Sequence, residues 1–351
     1  MKLVKEANLA QLDQFDEILD VRSPSEFAED HIPGALNFPV LDDEERARIG
    51  TLHKQVSSFD AKKAGAALVS RNIARHLEQA FAAKPKNWRP LVYCWRGGKR
   101  SGAMAHVLGQ VGWHSGQLDG GYKAYRRQVL EDLQTLPARF QWRVVCGATG
   151  SGKSRLLQAL HAAGAQVLDL EDLANHRGSL LGNVPGMPQP GQKYFESLIW
   201  SKLHGFDPVQ PVYVEAESKK IGNVRVPETL IAAMWLSQCI RVEASIAQRV
   251  ELLKEEYAHF LVDPNELGQK LGFLTEIHGK ERIARWLHMA QQGEWDTLVA
   301  ELLEQHYDPA YTRSTLKHYP LYGEGLILQP QSLSVEAMQG AAKEILEGQK
   351  T

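Results

Sequence analysis

Two periods of apolar residues alternate along this chain. Short apolar runs at residues 18–21, 36–40, 91–93 and 117–118 each close on a turn signal and read as buried strands. Residues 42–83 between them are charged and alanine-rich, and Leu68, Val69, Ile73, Leu77 and Phe81 share one face at helical spacing. After the break at Leu136-Pro137 the alternation resumes, with strands at 143–146, 166–170, 211–216, 239–242 and 325–329, a helix at 153–162 and a last helix after the final strand. From 243 to about 320 the pattern is almost wholly helical and strongly charged. Strands alternating with helices build parallel sheets from βαβ units. The expectation is an α/β protein of two domains: residues 1–135 with a helical insertion at about 42–83, and residues 139–351 with a helical region at about 243–320.

Length agrees with this division, since 351 residues exceed one ordinary core. A formal net charge of -2 gives no global pull toward nucleic acid. Locally the balance differs, because residues 84–143 carry eleven Lys and Arg against Asp119, Glu131 and Asp132. No window approaches the roughly 18 apolar residues that span a bilayer, and residues 1–6 lack a signal-peptide core, so the expected location is cytoplasmic, with no membrane partner. Cys94, Cys146 and Cys239 are odd in number and widely spaced, which argues against a disulfide framework and a zinc site. No histidine sits at metal-ligand spacing, so no metal held by dedicated protein ligands is expected.

Two loops carry the chemistry. Cys94 ends the strand at 91–93 and is followed by Trp95, Arg96, Gly97, Gly98, Lys99, Arg100 and Ser101, where a helix opens. A helix N-terminus and neighbouring cations favour the thiolate, and paired glycines let successive N–H groups converge on the sulfur or on an anion bound to it. The Cys-x5-Arg spacing also serves phosphatases, although Tyr93 stands where the tyrosine phosphatases have histidine.

The second loop, Gly147-Ala148-Thr149-Gly150-Ser151-Gly152-Lys153-Ser154, follows a strand and opens a helix, the setting of a phosphate-cradling Walker A loop. Its amides would wrap a diphosphate, with Lys153 on the terminal oxygens and Ser154 placed to ligate Mg2+. Asp169, Glu171, Glu215 and Glu217 are the candidate acids for positioning water or holding a metal. Glutamate after the strand at 211–216, where aspartate is commoner, makes ordinary ATP hydrolysis a poor expectation; a held diphosphate serves equally as a leaving group.

Asp20-Val21-Arg22 with Glu26, His31-Ile32-Pro33-Gly34-Ala35, the Cys94 loop and Gly120-Gly121-Tyr122-Lys123-Ala124-Tyr125 together resemble the landmarks of a rhodanese domain, in order. A rhodanese-like α/β domain followed by a P-loop NTPase-like parallel α/β domain with a helical C-terminal region is similar to the tRNA 2-selenouridine synthase family. Further matching segments are 42–46 with Gly50, 170–179, 215–222 and 307–311. The resemblance implies a transferase that replaces the sulfur of wobble 2-thiouridine in tRNA by selenium from selenophosphate, and also attaches a geranyl group from geranyl diphosphate. It implies Cys94 as selenium carrier or guide, Arg96 and Arg100 as anion stabilisers, Asp20 and Arg22 as architecture, and no tightly bound cofactor beyond the two co-substrates. Arg249, Lys280, Arg282, Arg285 and Arg313 are candidate tRNA phosphate contacts, and Trp95 and Trp113 candidate base-stacking platforms. Oligomeric state is not legible. An ATP-dependent small-molecule sulfurtransferase, or a nucleotide switch that senses reactive sulfur, are the competing readings.

Overall fold

The apolar runs sort into two parallel sheets. The computed structural model describes residues 4–348, and its contacts group the chain into two units: residues up to Asp132 with Lys193–Ser201, and Leu133–Gln192 with Lys202 onward.

In the first unit β1 (Lys5–Ala7), β2 (Glu17–Asp20), β3 (Leu36–Asn37), β4 (Pro90–Tyr93) and β5 (Gly116–Leu118) pair in the order β1-β5-β4-β2-β3, all parallel. Strand β4 lies at the centre and all four of its residues are buried, so the residue that follows it, Cys94, emerges from the middle of the sheet. The expected insertion forms helices Asp43–Gln55 and Ser58–His76, each with a side-chain N-cap, Asp42 and Ser57 respectively. Ile73 and Phe81 from the predicted apolar face pack with Leu19, Val92, Met104 and Leu108 in this unit's core.

One buried ion pair organises the end of β2. Arg22 and Asp20 are both nearly inaccessible, and the guanidinium grips the carboxylate with two nitrogens, Nε at 2.9 Å and Nη2 at 2.6 Å from Oδ2. Nη2 also donates to the Asp30 carbonyl at 2.6 Å, and the guanidinium lies 3.9 Å from the Tyr122 ring centroid. The expectation that Asp20 and Arg22 serve architecture matches this geometry. The contribution of residues 193–201 was not expected: Ser197 donates to Asp30 at 2.7 Å, Tyr122 donates to the same carboxylate at 2.8 Å, and Arg126 pairs with Glu196. A segment that sits between two strands of the other sheet in sequence therefore belongs to the first unit.

In the second unit β6 (Trp142–Cys146), β7 (Gln166–Leu168), β8 (Val212–Glu215), β11 (Gln238–Val242) and β12 (Leu326–Leu328) form a parallel sheet in the order β12-β11-β6-β8-β7. A short hairpin, β9 (Lys220–Ile221) and β10 (Val224–Arg225), lies outside it. Strand β7 stops two residues short of expectation because Asp169 caps the helix Leu170–Leu173, accepting the Asp172 N–H at 2.9 Å. The helical region runs from Ile246–Glu256 to Asp308–His318 and builds its own core around Phe260, Leu271, Trp286 and Leu298. Among the described residues no helix is long and apolar enough to cross a membrane.

Removing one member of a buried ion pair strands the other charge, at a cost of about 3–5 kcal/mol. Arg22→Met is therefore expected to lower the urea midpoint of the first unit's transition in the full chain by that equivalent. Arg22→Lys should recover little, because an ammonium cannot reproduce the forked grip. An unchanged midpoint in either variant would sever the pair from stability.

Candidate functional sites in each unit

Cys94 is buried at the foot of its loop, 3% exposed, and the Ser101 hydroxyl donates to its sulfur at 3.2 Å. Gly97 has φ +63°, and the turn beneath the loop is Gly120-Gly121, also at positive φ. A side chain on Gly121 would collide with the Cys94 carbonyl, and one on Gly97 would come within 2.7 Å of the Leu118 carbonyl. Glycine is needed at these positions because two backbone segments touch there. Tyr122 N–H donates to the Cys94 carbonyl at 2.8 Å and Lys123 N–H to that of Trp95 at 2.9 Å. Gln117 donates to the Gly97 carbonyl at 2.6 Å. The loop is thereby held through its carbonyls. Among the described residues the N–H groups of Arg96 through Ser101 have no protein acceptor, which leaves them for an anion at the sulfur.

The cations of this loop divide. Arg100 is held by Glu26 at 2.8 Å, and this contact keeps the Glu26 carboxyl below its ordinary range against the opposing effect of burial. Arg96 and Lys99 are exposed. The arrangement leaves Arg96 exposed beside the loop and gives Arg100 a bracing contact that spacing alone did not reveal. Trp95 is partly exposed, with its ring centroid 5.2 Å from that of Tyr122, whereas Trp113 donates to the Pro85 carbonyl at 2.9 Å and packs edge-on against Trp88. Trp95 is the better placed of the two for stacking.

In the second unit the phosphate loop turns through Gly150 and Gly152, at φ +76° and +85°, into the helix Lys153–Ala162. Lys153 folds over the loop and donates to the Gly147 carbonyl at 2.8 Å. The N–H groups of Thr149, Gly150, Gly152, Lys153 and Ser154 have no protein acceptor among the described residues. Arg249 fixes the loop from outside: it donates through Nε to the Thr149 carbonyl at 2.8 Å, and it grips Asp308 with its two terminal nitrogens at 2.9 and 2.6 Å. The Gly147 N–H donates to the Tyr311 hydroxyl at 2.6 Å. Arg249 is only 4% exposed, so the expectation of a tRNA phosphate contact there is corrected. Asp308 and Tyr311 fall in a segment singled out by resemblance alone, and their bracing role needed the fold.

A cleft of about 650 Å3 opens from this loop, lined among others by Lys153, Ser154, Asp169, Glu171, Arg177 and Glu217. Ser154 donates to Glu171 at 3.3 Å. The Glu171 and Glu217 carboxylates converge on Gly178, where an added Cβ would lie 2.8 and 2.7 Å from them. Burial pushes the Glu171 carboxyl well above its ordinary range, assisted by the neighbouring Glu217 charge, and raises Glu217 and Asp169 as well. Glu215 does not line the cleft. It is 2% exposed and accepts the Glu171 N–H at 2.9 Å, so it positions the acid that does. No group of three or more His, Cys, Asp or Glu side chains is arranged to hold a metal among the described residues. The three cysteines are free.

Residues 4–128 match the rhodanese-like domain family and residues 140–279 the family described as tRNA 2-selenouridine synthase AAA domain. A tRNA 2-selenouridine synthase from Nitrosomonas europaea is 37% identical over 68% of this chain and 63% of its own length, so the match spans less than two thirds of that relative. The protein of the same name from Hydrogenovibrio crunogenus is 32% identical over 84% of this chain and 88% of its own. The N-terminal domain of a putative ATP/GTP binding protein from Clostridium difficile 630 is 34% identical, covering 36% of this chain and 99% of that one at a TM-score of 0.33. The chain belongs to the tRNA 2-selenouridine synthase family.

Glu215 generates a pH-dependent expectation. Burial holds its carboxyl well above the ordinary range, so the protonated form suits the fold and a penalty accumulates as pH rises from the ordinary carboxylate range toward the raised folded-state value. Glu215→Gln keeps an acceptor for the Glu171 N–H and removes the charge. Thermal unfolding should show a gain of roughly 3 °C near pH 8, the shift that about 1 kcal/mol produces in a domain of this size, shrinking as the pH is lowered. A gain that grows toward acid pH would reverse the sign of this assignment.

Proposed function

We propose that this member of the tRNA 2-selenouridine synthase family converts wobble 2-thiouridine of tRNA to 2-selenouridine, with selenophosphate as selenium donor and an S-geranyl intermediate formed from geranyl diphosphate. The observation that carries the reading is the presence of two independently built anion cradles, one around a buried thiol and one around a lysine, in a chain of this family. The competing readings also use both loops, and family membership favours tRNA modification over them.

The lysine loop suits the first step. The thiocarbonyl sulfur attacks C1 of the geranyl group, the C1–O bond breaks, diphosphate leaves, and the base loses its N3 proton. Loop amides, Lys153 and Arg177 stabilise the departing charge where it develops. Ser154 and Glu171 present adjacent hard oxygen donors, a fit for Mg2+ that takes its remaining ligands from phosphate and water. Magnesium there would shield the diphosphate.

S-alkylation makes the sulfur a better leaving group, which opens C2 to attack. The Cys94 loop then holds the phosphate oxygens of selenophosphate with its free amides and Arg96, and Cys94 guides the donor so that selenium attacks C2, the C2–S bond breaks, geranylthiolate departs and takes up a proton, and water cleaves the P–Se bond to release phosphate.

The test is mass spectrometry of nucleosides from 2-thiouridine tRNA incubated with both co-substrates. Lys153→Ala should reduce S-geranylation by about 10²–10³-fold. Cys94→Ser should abolish selenation and leave geranylation intact. Selenation that survives Cys94→Ser would remove the thiol from the mechanism, and rapid ATP turnover with unmodified tRNA would favour the small-molecule sulfurtransferase.

A further inference from the structure

The helical insertion of the first unit carries a charge asymmetry that its sheet does not account for. Residues 46–75 hold seven Lys and Arg against Asp60 alone. Helices Asp43–Gln55 and Ser58–His76 pack against each other, and the second turns Leu68, Asn72 and Ile73 inward. Its outward face presents Lys62, Lys63, Arg71 and Arg75, with only alanines and Ser70 exposed between them. Lys63, Arg71 and Arg75 follow one another at steps of eight and four residues, which keeps them on one side of the helix over about 18 Å. Val56 and Phe59, 74% and 68% exposed, stand at the turn between the two helices.

A helical face that is merely solvated mixes both signs and pairs them within a turn. Here only Arg46 and Lys63 meet a carboxylate among the described residues, at Glu26 and Asp60, while Arg48, Lys54, Lys62, Arg71 and Arg75 meet none. Unpaired like charges held this close repel one another, and an anionic partner relieves the repulsion. A lipid surface would call for large apolar side chains beside the cations along the helix, where the outward face has alanine and serine instead. Those small residues let an extended polyanion approach closely, and an exposed aromatic at the end of the row offers a platform to an unpaired base. The arm is fixed in place, because buried Asn72 donates to the Val40 carbonyl at 3.1 Å and to Glu45 at 2.8 Å. At its foot Arg46 lies 3.8 Å from the same Glu26 carboxylate that holds Arg100, so the row of cations starts beside the thiol loop.

We propose that this helical arm is the RNA-docking surface of the first unit: Lys54, Lys62, Lys63, Arg71 and Arg75 take successive phosphates of the tRNA strand that carries the wobble nucleotide, Phe59 stacks on an unpaired base, and the strand is led along the arm to the thiol loop. The inference rests on the tRNA-modification reading above and assigns that substrate a surface. Phosphate contacts carry no sequence information, so the arm sets affinity and orientation and leaves the choice of nucleotide to the sites themselves.

The experiment is fluorescence anisotropy of the full chain with labelled tRNA bearing 2-thiouridine, repeated over a series of salt concentrations. Each phosphate contact contributes about 0.7–0.9 to the slope of log affinity against log salt. Lys54→Gln, Lys62→Gln, Arg71→Gln and Arg75→Gln combined should lower the magnitude of that slope by about 3 and weaken binding by about tenfold or more. An undiminished thermal midpoint reports that this variant is folded. Phe59→Ala should weaken binding by about 5- to 100-fold with the salt slope unchanged. In the nucleoside assay the four-site variant should raise KM for tRNA and leave kcat at the parental value. Lys280→Gln, Arg282→Gln and Arg313→Gln combined, in the helical region of the second unit, should change binding far less. Parental affinity and slope in the four-site variant, or a loss confined to the Lys280, Arg282 and Arg313 variant, overturns the arm. Binding to vesicles of phosphatidylserine and phosphatidylcholine that the four-site change abolishes while tRNA binding persists would give the arm to a membrane instead. Arm-dependent tRNA binding by a parent chain that modifies no nucleoside would keep the arm and reject the modification reading; modification with parental KM in the arm variants would do the opposite.

Discussion

The second unit's chemistry depends on how one guanidinium is shared. Arg249 is almost wholly buried and joins the Thr149 carbonyl of the phosphate loop to the Asp308 carboxylate at the start of helix Asp308–His318. Taking a guanidinium out of water is tolerated only when its donors are satisfied, and here the two terminal nitrogens take the carboxylate and Nε takes the loop. The Tyr311 hydroxyl, one turn further along the same helix, accepts the Gly147 N–H. Both ends of the loop's first half are thus tied to a helix that follows it by more than 150 residues. The helical region is part of the phosphate site, because a glycine-rich loop has little rigidity of its own.

The first unit applies a similar rule with different groups. Its loop amides stay free because the neighbouring carbonyls are occupied: Cys94 and Trp95 by the N–H groups of Tyr122 and Lys123, Gly97 by Gln117. The Tyr122 ring lies over Arg22, which in turn is clamped by Asp20, so the buried ion pair at the end of β2 sets the height of the turn on which the thiol loop rests. A displaced ion pair would move the floor of the anion site without touching Cys94.

What could be read from the chain was what is local. The strand-loop-helix units around Cys94 and Lys153 appear as expected, because strand period, glycine spacing and cap chemistry all act within about ten residues. Partnerships across distance were not legible. Arg249 looked like a surface cation in a charged helix, and only the fold shows Asp308 opposite it. Arg100 looked free until Glu26, 74 residues away, closed on it. Glu215 stands in the expected acidic pattern, yet it ends a strand that is buried throughout and is taken up by the Glu171 N–H, while Glu217, two residues beyond the strand's end, reaches the cleft. The transfer of residues 193–201 to the first unit has no local signature, since it depends on Ser197 meeting a buried Asp30.

The cleft's charge balance bears on what it selects. Glu171 and Glu217 sit beside a loop built for anions, and burial holds both carboxyls above their ordinary range. Ionised together they would repel an entering diphosphate, and Lys153 and Arg177 offset only part of that repulsion. Two routes relieve the strain: a proton shared between the carboxyls, or a divalent cation arriving with the ligand beside Ser154. By the second route alone does the site favour a ligand that enters with its own counter-charge over a bare anion.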